Sequence, residues 1–475
     1  MAREGSWADV LGEGRGPRFV LICLGVWLNA ADSMVTATIM PSVGRALGGY
    51  AYFGWATAGY LLGSVMAGAS SGLLARRFGL RRATAAAAAL YALGCVMSAA
   101  GPDIGTFLAG RVLQGIGGGW VVGFCSVAIG LMFPNRTLPK VYAAITSVWG
   151  VASLIGPLIG GLFADAGAWR WVFWSFAIQG LAVGAAAYVM LPKGEDGEAD
   201  ARMAWSQLGL IALGVAAIAL ADLAGGFGPS AALTGLGVAV LLVMVWYDER
   251  ATVRLLPKSA GDLRTVAGAG YASQFLMTVA AMGFSVYGPA FLQTLAGLKA
   301  LSAGYVVALE AVAWTVAGLL VTNLVGAWPG RMIRLGAAVV LAGIAASALA
   351  FPLGSVIGVS VAGVILGVGQ GLAWAFMSQR ILGALDPDER ATGAAGITTV
   401  RLTGSAVGAA VAAAAANLTG VTHGLTEAVA RSAGFWVFGA VFPVAAGGLL
   451  AAWRLGGFPP ATEGPAVNAA AQPAA

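Results

Sequence analysis

An all-α membrane protein of fourteen spans is the fold class that three features of this sequence predict. Hydrophobic residues make up 59% of its 475 residues and charged residues only 10%, with a mean hydropathy of +0.85, which is too apolar for a soluble chain of this length. Apolar runs of about 20 residues, the length that crosses a hydrocarbon core, recur from end to end. Basic residues collect in alternate connections between those runs.

The runs fall at 18–40, 52–74, 83–101, 106–132, 141–164, 170–191, 203–223, 229–247, 264–294, 302–324, 333–351, 354–383, 391–417 and 432–453. Placing the N-terminus inside puts 20 of the 26 Lys and Arg on the cytoplasmic side, among them Arg76, Arg77, Arg81, Arg82, Arg254 and Lys258. Only Arg45, Arg170, Lys299 and Arg431 fall in outer connections, while Arg111 and Arg401 lie within spans. An even number of spans then leaves both termini in the cytoplasm. The net charge of +6 is a topology signal and predicts no nucleic-acid partner.

The first 17 residues are polar without a cleavable signal pattern, so the first span reads as a permanent anchor. Two charged connections, "PKGEDGEADARMAW" and "YDERATVRLLPKSAGDLR", divide the chain. The predicted units are an N-terminal tail (1–17), a six-helix bundle (18–192), a central connection with two inserted spans (193–263), a second six-helix bundle (264–455) and a disordered tail (456–475). "LQGIGGG" (113–119) and "ILGVGQG" (365–371) share three glycines at alternate positions in the fourth span of each bundle, an echo that repeated transporter halves would carry. Cys23, Cys95 and Cys125 all fall within spans and form no disulfide framework. The only histidine, His423, stands in an outer loop, so no metal site or cofactor is expected. No GxxxxGK[ST] loop and no nucleophile constellation is present, which argues against an enzyme and against direct ATP drive.

"GVASLIGPLIGG" (150–161) places a proline and four glycines inside an apolar span, a defect tolerated where neighbouring helices pack closely. Together with "GLLARRFGLRR" (72–82) after span two and "RVLQGIGGG" (111–119) in span four, it resembles three ordered signatures of the major facilitator superfamily. "DSMVTATIMP" (32–41) in span one, "WRWVF" (169–173) and Arg401 with Gly404 and Gly408 are similar to its fourteen-span drug:proton antiporters. The resemblance covers nearly the whole chain. It implies two six-helix bundles rocking about a central cavity, with the glycine-proline motif acting as a hinge characteristic of exporters. On that basis Gly72, Gly79, Arg81, Gly150, Gly156, Pro157, Gly160, Gly161 and Arg401 are the expected gating residues, and Arg111 is implicated in proton coupling. One departure stands out: Arg76 occupies the place of the aspartate that latches the halves of relatives on the cytoplasmic side.

Ionisable residues inside spans are costly and point to a cavity or a partner. Asp32 and Glu310 are carboxylates of that kind, able to trade a proton for a cationic substrate. For Asp32 an ion pair with Arg111 or a helix-capping role is the structural alternative, and for Arg111 a bond to backbone carbonyls is the alternative. Trp314 follows Glu310 at i+4, so an acid and an aromatic face share one side of a helix and suit a lipophilic cation. Gln293, near Pro289, is a further candidate for the cavity wall, and Asp222 reads as an interface residue.

The function these features predict is a proton-coupled exporter of lipophilic, cationic small molecules, a monomer in the bacterial inner membrane with Asp32, Arg111 and Glu310 coupling protons and Asp32, Gln293, Glu310 and Trp314 binding substrate. Alternatives with the same fold are an exporter of a lipid or lipid-linked metabolite and a proton-coupled importer. A receptor or scaffold would be told apart by the absence of transport.

Overall fold

The computed structural model describes residues 7–12, 14–133, 137–192, 203–321, 324 and 326–459. The acidic connection 193–202 and the tail beyond residue 459 lie outside the described residues. Sixteen α-helices and no strand occur among them. A short α1 (Trp7–Leu11) precedes the first bundle: α2 (Gly16–Leu47), α3 (Phe53–Phe78), α4 (Leu80–Ala100), α5 (Ile104–Met132), α6 (Leu138–Asp165) and α7 (Arg170–Met190). The inserted pair is α8 (Trp205–Leu220) and α9 (Phe227–Asp248). The second bundle comprises α10 (Val266–Leu295), α11 (Ala300–Val321), α12 (Trp328–Ala350), α13 (Val356–Gly383), α14 (Arg390–Asn417), α15 (Glu427–Gly439) and α16 (Phe442–Gly457).

Each predicted span corresponds to one of these helices except the last. That crossing is broken into α15 and α16 because Pro443 has no N–H to give and its ring collides with the preceding turn. Helix α16 also runs to Gly457, into the stretch expected to be tail. Counting Glu427–Gly457 as one crossing, thirteen helices among the described residues are long and apolar enough to span a membrane; α8, at 16 residues, is shorter and is continued by a 3-10 turn at Ala221–Leu223. Helix ends are set locally. Asp103, Thr265, Ser355 and Thr426 cap α5, α10, α13 and α15 through their side chains, and Gly79, at φ 73°, joins α3 to α4 without a linker.

The two bundles repeat the same packing. Helix α2 lies against α6 as α10 lies against α14; α5 sits between α3 and α4 as α13 sits between α11 and α12; α4 meets α7 as α12 meets α16. The glycine echo has its reason here. A Cβ on Gly115 would run into the carbonyl of Tyr60, one on Gly119 into Ser64, and one on Gly117 into Tyr91 of the other neighbour. Gly367, Gly371 and Gly369 meet Glu310, Trp314 and Val340 in the same way. Alternate glycines thus let one helix touch two others at backbone distance. This correspondence sets Glu310 at the place Tyr60 holds in the first bundle.

The bundles meet at the end poor in basic residues. Phe53 stacks on Tyr287 at 6.1 Å, Asn417 donates to the Ala51 carbonyl at 2.8 Å, and Gly54 abuts Ala409 and Ala413. Gly161 lies against the backbone of Leu301, and Gly304 against Pro157 and Thr38. At the basic end the same helices are less covered: space is open beside Gly68, Gly72 and Gly150, and Ala394 and Thr398 of α14 are exposed.

The inserted pair covers one flank of this junction. Ile211, Val215 and Ile218 of α8 and Met244 of α9 pack with Val65 of α3 and Ala406, Val407 and Ala410 of α14, so α8 touches both bundles. A buried polar clip holds its basic end, where Asp248 accepts from Gln207 Nε2 at 3.1 Å and from the N–H groups of Leu255 and Leu256 at 2.8 and 2.9 Å. Arg254 pairs with Glu389 at 3.4 Å beside the start of α14.

Candidate functional site

Two polar clusters occupy the interiors of the bundles, and they differ in charge balance. In the first, Arg111 on α5 donates from Nη1 to both oxygens of Asp32 on α2, at 2.9 and 3.0 Å, and to Gln114 Oε1 at 3.0 Å. Its Nε donates to the Ala56 carbonyl at 3.3 Å, and its guanidinium lies 4.5 Å from the Tyr60 ring centroid. Thr36 Oγ1 donates to Asp32 at 3.1 Å, one turn along α2. Gln114, held in turn by Ser98 and Cys95, fixes the far side. Asp32 is 0% exposed and Arg111 1%, so the pair is sealed from any cavity. Charge neutralisation within the pair is what permits that burial. The ion pair and the bond to a backbone carbonyl are therefore both present, while Asp32, in the middle of α2, caps no helix.

The second cluster has a carboxylate and no cation. Glu310 on α11 accepts from Gln370 Nε2 on α13 at 2.7 Å and from Ser285 Oγ on α10 at 3.3 Å, and is 8% exposed. Trp314, one turn further on, lies 5.7 Å from Trp374 of α13, so two indoles stand on the side of the helix pair that carries the acid. Gln370 takes the position of Gly118 in the repeat. Neither Gln370 nor Ser285 was legible as a functional residue from sequence, because each is an ordinary polar residue until the fold brings it to Glu310. Gln293 lies near the other end of α10, its Nε2 buried without a partner, and no hydrogen bond joins it to the Glu310 cluster among the described residues.

The glycine-proline motif sits at the closed end. Gly156 packs on Met34, Gly160 on Val35 and Thr38, and Gly161 on Leu301 across the bundle boundary, while Pro157 touches Gly304. Gly150 and Gly72 face open space. Arg81, after Gly79, lays its guanidinium over Tyr188 at 4.1 Å, and exposed Arg76 lies one residue before Arg77 at the end of α3. Arg401 is half-buried on α14 and makes no hydrogen bond or ion pair with any described residue. One residue that sequence reasoning missed closes this end: Asp165, the last residue of α6, accepts the N–H of Ala300 at 2.9 Å and of Leu301 at 3.4 Å at the start of α11. The side chain of Asp222 is outside what the structure describes.

Comparison with known proteins agrees with this architecture. The profile of the Major Facilitator Superfamily matches residues 22–409. A protein of Mycobacterium tuberculosis (strain ATCC 25618 / H37Rv) named as a probable multidrug-efflux transporter is 32% identical over 475 aligned residues, covering 95% of this chain and 97% of its own. An acurin A biosynthesis cluster MFS-type transporter of Aspergillus aculeatus is 35% identical over 165 residues, 34% of this chain and 30% of that protein. Among solved structures, a D-xylose-proton symporter superposes with a TM-score of 0.66 at 17% identity, covering 94% of this chain and 98% of that one. A bacterial homologue of the lysosomal transporter Spinster gives 0.64 at 14% identity, over 95% and 97% of the two chains. Repeat geometry, the match across the greater part of the sequence and a full-length relative at this identity together place the chain: it is a multi-pass membrane transporter belonging to the major facilitator superfamily.

Proposed function

We propose that this transporter is a proton-coupled exporter of lipophilic organic cations in the bacterial inner membrane, working as a monomer by alternating access. The observation that carries the reading is Glu310. A carboxylate inside a span, held among the described residues only by the neutral donors of Gln370 and Ser285, has room in its charge balance for one proton or one cation, and the Trp314–Trp374 pair beside it supplies the aromatic surface that a lipophilic cation prefers. Competition between proton and cation at one carboxylate couples their movements in opposite directions.

With the basic end taken as cytoplasmic, the contacts between the bundles lie at the outer end, and the less covered basic end is read as the open, inward side. A cation enters from the cytoplasm and settles against Glu310. The closed end then parts along the Gly156–Gly161 seam, a proton arriving from outside displaces the cation, and the protonated state returns. Asp32 and Arg111 serve this cycle as a sealed pair whose opening would be a second protonation step. The proton gradient is the energy source, with no cofactor. The full-length relative's name, multidrug efflux, supports the export direction.

Reconstitution in liposomes tests the proposal. Under an imposed proton gradient the wild type should move a lipophilic fluorescent cation, Glu310→Gln should lose gradient-driven transport, and Asp32→Asn should impair it. Transport by the purified protein that is indifferent to the gradient would reject proton coupling.

A further inference from the structure

Arginines inside this bundle are, as a rule, satisfied. Arg111 holds a carboxylate, Arg18 donates to the Met190 carbonyl at 3.1 Å, and Arg380 donates to the Leu455 and Phe458 carbonyls at 2.6 and 3.0 Å. Arg401 has none of these among the described residues. It lies 11 residues into α14, about 16 Å from the basic end at 1.5 Å per residue, roughly half-way through the bilayer. A guanidinium keeps its charge under all ordinary conditions, so its cost cannot be relieved by losing a proton.

Exposure along its helix rises toward the basic end. Ala394, Thr398, Arg401 and Ser405 follow at helical spacing along one stripe of α14; the first two are exposed and the last two half-buried. The hydroxyls of Thr398 and Ser405 have no hydrogen-bond partner among the described residues, whereas Thr399, on the next face, bonds back to Ala395. Beside the stripe, Gly404 rests against the Phe275 carbonyl and Thr278, and Gly408 against Val279 and Met282, which fixes α14 against α10 and fixes the stripe with it. The result is a polar stripe, graded from exposed at the basic end to half-buried, with a cation that has no partner among the described residues.

We propose that Arg401 anchors an acidic group of the transported molecule, a carboxylate received by the guanidinium fork with the Thr398 and Ser405 hydroxyls as flanking donors. This extends the substrate class from simple cations to zwitterions and acidic amphiphiles, and it rests on the reading of the open side as the substrate cavity. Geometry favours a carboxylate because the planar fork donates two parallel hydrogen bonds to its two oxygens.

A matched dye pair tests it. Rhodamine B carries a free carboxylate and its ethyl ester does not, while both share one cationic ring system. Fluorescence anisotropy with the purified full-length protein should show rhodamine B binding about tenfold more tightly than the ester, the size of a charge-assisted hydrogen bond. Arg401→Gln should abolish the difference and leave the ester's Kd within about twofold; Arg401→Lys should keep part of the preference. Equal affinity of the two dyes in the wild type overturns the proposal, as does an equal loss of both in Arg401→Gln, which would mark a structural arginine. Ester binding that persists and depends on Glu310 would, in either case, leave the cation reading standing. Failure of the ester itself to bind strikes at that reading instead, and the rhodamine B preference then judges Arg401 alone.

Discussion

The carboxylate of Asp165 accepts the backbone N–H of Ala300 at 2.9 Å, tying the C-terminal end of α6 to the first turn of α11 and so one bundle to the other. A helix N-terminus presents unpaired donors and partial positive charge, and an acid placed there is favoured. The superfamily resemblance implies a latch of this kind at the cytoplasmic end, where Arg76 stands in place of the acid. Here the acid-to-helix contact lies at the opposite end.

Removing the acid should loosen that end. Asp165→Ala is expected to shift the balance toward the outward-open state by about 1 kcal/mol, the discounted value of an exposed charged hydrogen bond, or about fivefold in population. Hydrogen exchange of the Ala300 and Leu301 amides should speed up accordingly, with Asp165→Asn in between because its amide oxygen still accepts.

Close packing at the same seam gives a second prediction. Any side chain on Gly161 meets the Leu301 backbone, so Gly161→Val should disfavour closure of that end and slow the return step. Gly150→Ala meets open space in this state and should leave the described conformation undisturbed. Spin-label distances across the two ends would separate the two variants.

Splitting the sealed pair should be more damaging than removing it. Arg111→Gln leaves Asp32 buried without a cation, a loss on the order of 3–5 kcal/mol, seen as a large fall in Tm in detergent. Asp32→Asn with Arg111→Gln should recover much of that stability. Non-additivity in the double-mutant cycle is the expected signature.

Glu310→Gln tests charge without shape. The amide oxygen can still accept from Gln370 and the amide NH2 can donate to the Ser285 hydroxyl, so folding should be retained while the response of transport to a pH gradient disappears. Gln370→Leu, which leaves the acid short of its closest donor, should alter the pH dependence of transport rather than abolish it.

An acid effect is expected at a loop. Asp103 caps α5 by accepting the Thr106 N–H at 2.8 Å and its hydroxyl at 3.0 Å, which holds its carboxyl below the usual range. The sign follows: the cap's contribution is full above about pH 4, the ordinary value, and fades as pH falls through the lowered one. Hydrogen exchange in the first turn of α5 should rise at low pH, and Asp103→Ala should remove the dependence.

Span count, the six-two-six division and the basic asymmetry were legible in the sequence because a bilayer imposes length and apolarity on each helix separately, one segment at a time. Asp32, Arg111 and Glu310 stood out for the same reason, as charges where charge is costly. Pairing is another matter. That Asp32 is neutralised by Arg111 while Glu310 has only Gln370 and Ser285, that Asp165 reaches Ala300 across 135 positions, and that α8 fills the flank between α3 and α14 all depend on which helix faces which. Those choices arise from backbone-distance contacts at Gly115, Gly161 and Gly367, whose geometry no local pattern encodes. The sequence determined which residues cross the membrane; only the packed bundle decided which of its charges are spent on one another and which remain for a substrate.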